Sequence, residues 1–193
     1  IVLAIDDHSR LVDQIEHVAR SIFEEVIVFK YPIPPLARHP EAANWAFKHV
    51  ARYMEERGRP WLWMEPDMIP LKTGWLDALQ VAYDECGMPC MGPVVKDMAH
   101  ANGTCIYCAD LPSRCKRFMA YPDGHWAFDM VISEELMPML CDASDLMCHV
   151  WVMQGDILLP YGVGEMPTFK HQNSLRNIPS TAVVLHRCKD DSL

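Results

Sequence analysis

Trp61-Leu62-Trp63-Met64-Glu65-Pro66-Asp67 runs four apolar residues directly into two carboxylates. By length and composition, residues 61–64 read as a buried strand, with the acids where that strand ends. Upstream, Trp45, Val50 and Met54 are among the apolar positions of a helix expected over about 41–57, stopped by Gly58 ahead of Pro60. Pro32, Pro34, Pro35 and Pro40 make the stretch before it a loop, since each removes a donor and restrains its predecessor. At the start of the chain, residues 1–5 form a short apolar run ending in Asp6-Asp7, which suits a strand. Leu11, Ile15, Val18 and Ile22 then mark one helical face, and residues 26–29 a second strand. Strand, helix and strand in that order predict a parallel pair with a crossover helix, and so an α/β layered fold.

Downstream of Pro70 and Gly74, residues 75–83 read as a helix, 89–95 and 104–107 as strands, and 129–140 as a helix. Residues 181–185 are a last β-branched strand leading into His186-Arg187-Cys188-Lys189. The stretch 155–179, with Gly162, Gly164 and Pro167, is expected to be a mobile loop over a site. No repeat, low-complexity tract or linker divides the chain.

Its 193 residues suffice for one domain with a real core, and 50% hydrophobic with 22% charged residues excludes a disordered, collagen-like or coiled-coil chain. A formal charge of -9 argues against a general trap for nucleic acid or anionic membrane, so any polyanion must be met by a local positive site or a cation. No apolar run reaches the roughly 20 residues of a membrane-spanning helix, and residues 1–7 lack the basic region and cleavage site of a signal peptide. The expectation is a soluble, cytoplasmic protein. The eight cysteines lack the regular spacing of a secreted scaffold and read as reduced, packed thiols. Cys86, Cys90, Cys105 and Cys108 have paired spacings that zinc could use, but alternation would turn Cys105 and Cys108 to opposite faces. His149, between Cys148 and Val150, reads as a core histidine.

Two acids at a strand end are what a hard divalent cation requires, and in open α/β sheets ligands gather beyond the carboxyl ends of the strands. An isolated Glu-x-Asp also serves as a solvated turn with a capping Asp.

The run Trp61-Leu62-Trp63-Met64-Glu65-Pro66-Asp67-Met68-Ile69-Pro70-Leu71-Lys72-Thr73-Gly74-Trp75-Leu76 resembles the metal-site segment of GT-A glycosyltransferases. There an apolar strand ends in an acid-x-acid motif and a short connection leads to a helix. The likeness is greatest to small glycosyltransferase-like proteins of phage and metagenomic sequence, and it covers nearly the whole chain. Pro40-Glu41-Ala42-Ala43-Asn44-Trp45-Ala46-Phe47, Met91-Gly92-Pro93 and Ala101-Asn102-Gly103-Thr104 match in order. His186-Arg187-Cys188-Lys189-Asp190 resembles the late His that completes the metal site, followed by a Lys.

The resemblance implies a single GT-A-like domain over residues 1–193: an α/β, Rossmann-like, nucleotide-sugar-binding fold with a mostly parallel central sheet. It also implies a metal-dependent glycosyltransferase that uses a nucleotide-diphosphate sugar, UDP-linked by expectation, with Mn²⁺ or Mg²⁺. Asp67, Glu65 and His186 would hold the ion, Lys189 would meet the phosphate oxygens, and Asn44, Asp6 and Glu65 would contact the nucleotide. Asp129, in Gly124-His125-Trp126-Ala127-Phe128-Asp129, lies where such enzymes often carry the catalytic base, with His125 and Trp126 as an acceptor platform. Asp129 is equally a helix-start acid, and Asn44, Asp6 and Asp7 equally cap or end elements. Asn102-Gly103 reads first as a turn, with acceptor or donor binding second. The acceptor stays open among a modified base in phage DNA, a glycan, a protein and a small molecule. A phage-encoded chain would work in the host cytoplasm. The alternatives are a nucleotidyltransferase or metal-dependent phosphohydrolase, since strand-end acids with a cation serve phosphoryl chemistry too, and a non-catalytic nucleotide-sugar-binding module.

Overall fold

The computed structural model describes residues 1–6, 12–34, 37–65, 68–95, 100–122, 126–150 and 179–187. Asp67, Lys189 and nearly all of the expected 155–179 loop lie outside them. Chain contacts divide the protein into two compact units: unit 1 holds residues 1–61 and 108–136, unit 2 residues 62–107 and 137–193.

Unit 1 opens as the strand–helix–strand reading predicts, with β1 (Val2–Asp6), α1 (Val12–Arg20) and β2 (Ile27–Tyr31). The two strands pair in parallel, from Val2 opposite Ile27 to Asp6 opposite Tyr31. The apolar face of α1 does not become core. Ile15, Val18 and Ile22 are exposed by 44%, 57% and 68%, and Ala19 is the buried residue of this helix. Helix α2 (Glu41–Arg57) matches its expected bounds. Gly58 ends it at φ 65, the left-handed conformation that glycine adopts without strain, and its N–H donates to the Met54 and Glu55 carbonyls. Phe47 of α2 is fully buried, stacked on Phe128 with ring centroids 4.1 Å apart, edge-on to Phe118, and tilted against Trp61. Phe118 belongs to α5 (Lys116–Ala120), which follows the short α4 (Leu111–Arg114), and Phe128 opens α6 (Phe128–Leu136).

Among the described residues, the expected mostly parallel central sheet is not formed. The protein is α/β, but its strands fall into several small sheets of mixed and antiparallel pairing. β1–β2 stands as a two-stranded sheet. A second sheet runs in the order β3 (Trp61–Leu62), β8 (Ile106–Tyr107), β5 (Cys90–Gly92), β9 (Leu140–Asp142), with β5 antiparallel to β8 and parallel to β9. A third runs β10 (Met147–Val150), β11 (Val184–Arg187), β4 (Met68–Pro70), parallel and then antiparallel. β6 (Val94–Val95) and β7 (His100–Ala101) form an antiparallel ribbon. The run expected as one strand over 89–95 breaks at Pro93, which has no N–H to donate to a ladder. The one expected over 61–64 is confined to Trp61–Leu62.

Helix α3 (Trp75–Cys86) lays Trp75, Ala78, Leu79, Ala82, Tyr83 and Cys86 against the core of unit 2, formed by Met68, Met91, Ile106, Ala143, Met147, Val183 and Val184. Those positions on α3 recur at three- and four-residue steps, which makes one helical face. The helix expected over 129–140 stops at Leu136 and gives way to a 3₁₀ turn at Met137–Met139. Among the described residues, no helix is long and apolar enough to cross a membrane.

Candidate metal centre

The last described strand places His186 in unit 2. β11 sets it opposite Met68, the first residue of β4, and the Met68 N–H donates to the Glu65 carbonyl (3.0 Å). The acid is thereby tied to the strand that faces the histidine, and Glu65 Oε2 lies 3.5 Å from His186 Nε2. His186 is buried, and the Glu65 side chain is about three-quarters buried, with 25% of it exposed.

The other ring nitrogen is held from beneath. His186 Nδ1 lies 2.9 Å from Asn102 Oδ1, and that oxygen also accepts the Thr104 N–H (3.0 Å). An atom that accepts a backbone N–H is the amide oxygen, and an oxygen needs a donor, so Nδ1 carries the ring proton. In the neutral ring, Nε2 then presents its lone pair toward the carboxylate. The Asn102 turn is itself fixed. Its N–H donates to the Pro93 carbonyl (2.9 Å), its carbonyl accepts the Cys105 thiol (2.9 Å), and the Gly103 carbonyl accepts the Tyr107 hydroxyl (2.8 Å). Asn102 and Thr104 are buried.

A lone pair facing a carboxylate is unfavourable unless a positive charge lies with them: either the ring takes a second proton, or a cation binds both atoms. The donor set fits a divalent ion. Bonds of about 2.0–2.2 Å give a coordination polyhedron edges of roughly 3.0–3.5 Å, the span from Nε2 to Oε2. An oriented Nδ1–H on the far side of the ring is the usual support for a ligating histidine. Among the described residues, no group of three or more His, Cys, Asp or Glu is placed to hold a metal. Glu65 and His186 supply two donors, and the third expected one, Asp67, is outside the description.

The remaining expected residues are placed as follows. Asp6 ends β1 in unit 1, and its side chain is not described. Asn44, on α2, is buried and donates its Nδ2 to the Trp126 carbonyl (2.7 Å). One turn on, Lys48 donates to the Tyr121 carbonyl (2.6 Å), with its ammonium 5.2 Å from the centre of the Phe118 ring. Asp129 lies in the first turn of α6, where Oδ1 accepts the Met130 N–H (2.9 Å). Trp126 is 52% exposed and lines a cavity of about 350 Å³ with Arg117, Tyr121, Met130, Glu134 and other unit 1 residues. His125 and the side chain of His149 are outside the description. Cys86, Cys90, Cys105 and Cys108 are in no disulfide.

No protein-family model, curated protein or solved structure matches the chain. Function is accordingly argued from Glu65, Asn102 and His186 themselves. Of these, Asn102 is the one whose role the sequence conceals. His100, two residues earlier, is also buried, and burial lowers its pKa.

Proposed function

We propose that Glu65 and His186, with Asp67, bind a divalent cation at which a nucleotide-diphosphate sugar is held, and that the protein is a metal-dependent glycosyltransferase. One observation carries this reading: a buried histidine whose Nδ1 proton is fixed by Asn102 directs Nε2 at a carboxylate 3.5 Å away. It is supported by the likeness of residues 61–76 to an acid-x-acid metal segment, and it does not depend on a parallel sheet, since function lives in sites rather than folds.

When bound, Mn²⁺ or Mg²⁺ would offset the charge that builds on the diphosphate as the sugar–oxygen bond breaks. An imidazole ligand favours Mn²⁺ of the two. His186 supplies a neutral nitrogen, Glu65 an oxygen that binds the ion directly or a ribose hydroxyl, and Asn102 fixes the ring so that Nε2 cannot turn away. Lys189, three residues beyond His186, is assigned to the phosphate oxygens. A UDP-linked sugar is the expected donor.

The test is incubation with a panel of nucleotide sugars and Mn²⁺. Hydrolysis or transfer from one of them, abolished by a chelator and in His186→Ala, is the expected result. Release of phosphate or pyrophosphate from nucleoside triphosphates instead would mark a nucleotidyltransferase or phosphohydrolase. Retention of a nucleotide sugar without turnover would mark a binding module.

A further inference from the structure

Cys86 and Cys141 are the described cysteines that are partly exposed; the other five described are buried. Both pack at the edge of the unit 2 core. Cys86 ends the face of α3 that lies on this core. Cys141 sits in β9, paired in register with Met91 of β5, a residue at the centre of the same core. Paired residues of adjacent strands point to the same side of a sheet, so Cys141 and Met91 share the face that α3 covers. The Cys141 thiol is pushed up by burial first and then by the Cys86 sulfur beside it.

We propose that Cys86 and Cys141 are a redox modification site, a pair of thiols that closes to an intramolecular disulfide linking the end of α3 to β9. The site is independent of the metal centre. Its oxidant is a low-molecular-weight disulfide such as oxidised glutathione. The Cys86 thiolate attacks one sulfur of that disulfide, forming a mixed disulfide and expelling one glutathione thiolate. Cys141 gives up its proton and attacks the Cys86 sulfur, expelling the second glutathione. Two protein thiols are oxidised, one glutathione disulfide is reduced, and the two protons end on the released thiols. Among the described cysteines, exposure confines the exchange to this pair, because the buried ones are closed to the reagent.

The experiment treats the full chain with oxidised glutathione, alkylates the remaining thiols and maps peptides without reduction. A linked peptide joining Cys86 to Cys141 is expected, with both residues lost to alkylation together and recovered together by a dithiol reductant. In Cys86→Ser and Cys141→Ser, the remaining cysteine is expected to keep a glutathione adduct. Wild-type protein in which both residues stay alkylatable, both carry adducts, or either is linked to another cysteine would overturn the proposal, and this measurement does not depend on how the variants fold.

Discussion

His186 and Asn102 meet through Nδ1 and Oδ1 at 2.9 Å, and the same amide oxygen is anchored by the Thr104 N–H. A histidine on the last described strand thus takes its ring orientation from a turn 84 residues earlier.

Asn102→Ala removes that acceptor. Mn²⁺ affinity measured by calorimetry is expected to fall roughly 10- to 100-fold, the usual loss when the outer support of a ligating histidine is removed. Imidazole nitrogen shifts in NMR should show the ring losing its fixed tautomer. With the Thr104 N–H also left unpaired, stability should drop by about 1–3 kcal/mol.

Gly92 has no room for a side chain. A Cβ there would lie 2.1 Å from Cys105 Sγ and 2.8 Å from its Cβ. Gly92→Ala is expected to destabilise the protein by roughly 1–3 kcal/mol or more in urea unfolding. Cys105→Ala in the same chain should recover only part of the loss, because the Cys105 Cβ contact remains.

Asn44 and Lys48, one turn apart on α2, donate to the Trp126 and Tyr121 carbonyls and so clamp both ends of the connection into α6. Lys48→Met keeps the apolar stem and loses the donor and charge, so a cost of about 1–3 kcal/mol is expected in chemical unfolding. Asn44→Ala combined with it should be non-additive, since both act on one segment.

The Cys115 thiol titrates at about 12 in the folded protein against an ordinary 9.0, chiefly because burial disfavours the thiolate. Below pH 9 both states are protonated and the group contributes no pH dependence. Between about 9 and 12 the unfolded chain releases the proton first, so stability falls as pH rises, by roughly 1.4 kcal/mol per pH unit. Denaturation measured from pH 8.5 to 10.5 should show Cys115→Ala with a shallower alkaline slope than wild type.

What could be read from the sequence was what local chemistry decides. The bounds of α2 follow from periodicity and the Gly58 stop, and β1, α1 and β2 from alternating element types. Periodicity alone did not say which helical faces are covered, as the exposed Ile15, Val18 and Ile22 show. Nor could it assign short strands, since β4 exists because Leu185 and Val184 pair with Ile69 and Pro70 from far along the chain. Glu65 and His186 were legible as ligand types. Asn102 was not, because Asn-Gly signals a turn locally, and its second role arises only through a long-range contact.

The central claim is that Glu65 and His186 hold a divalent cation, and the most direct test is Mn²⁺ titration followed by the EPR signal of the free ion, with UDP present. Wild-type protein is expected to take up a single ion per chain, with His186→Ala losing that uptake and Glu65→Ala weakening it while both variants remain cooperatively folded. Uptake in folded His186→Ala equal to that of wild type would contradict the assignment.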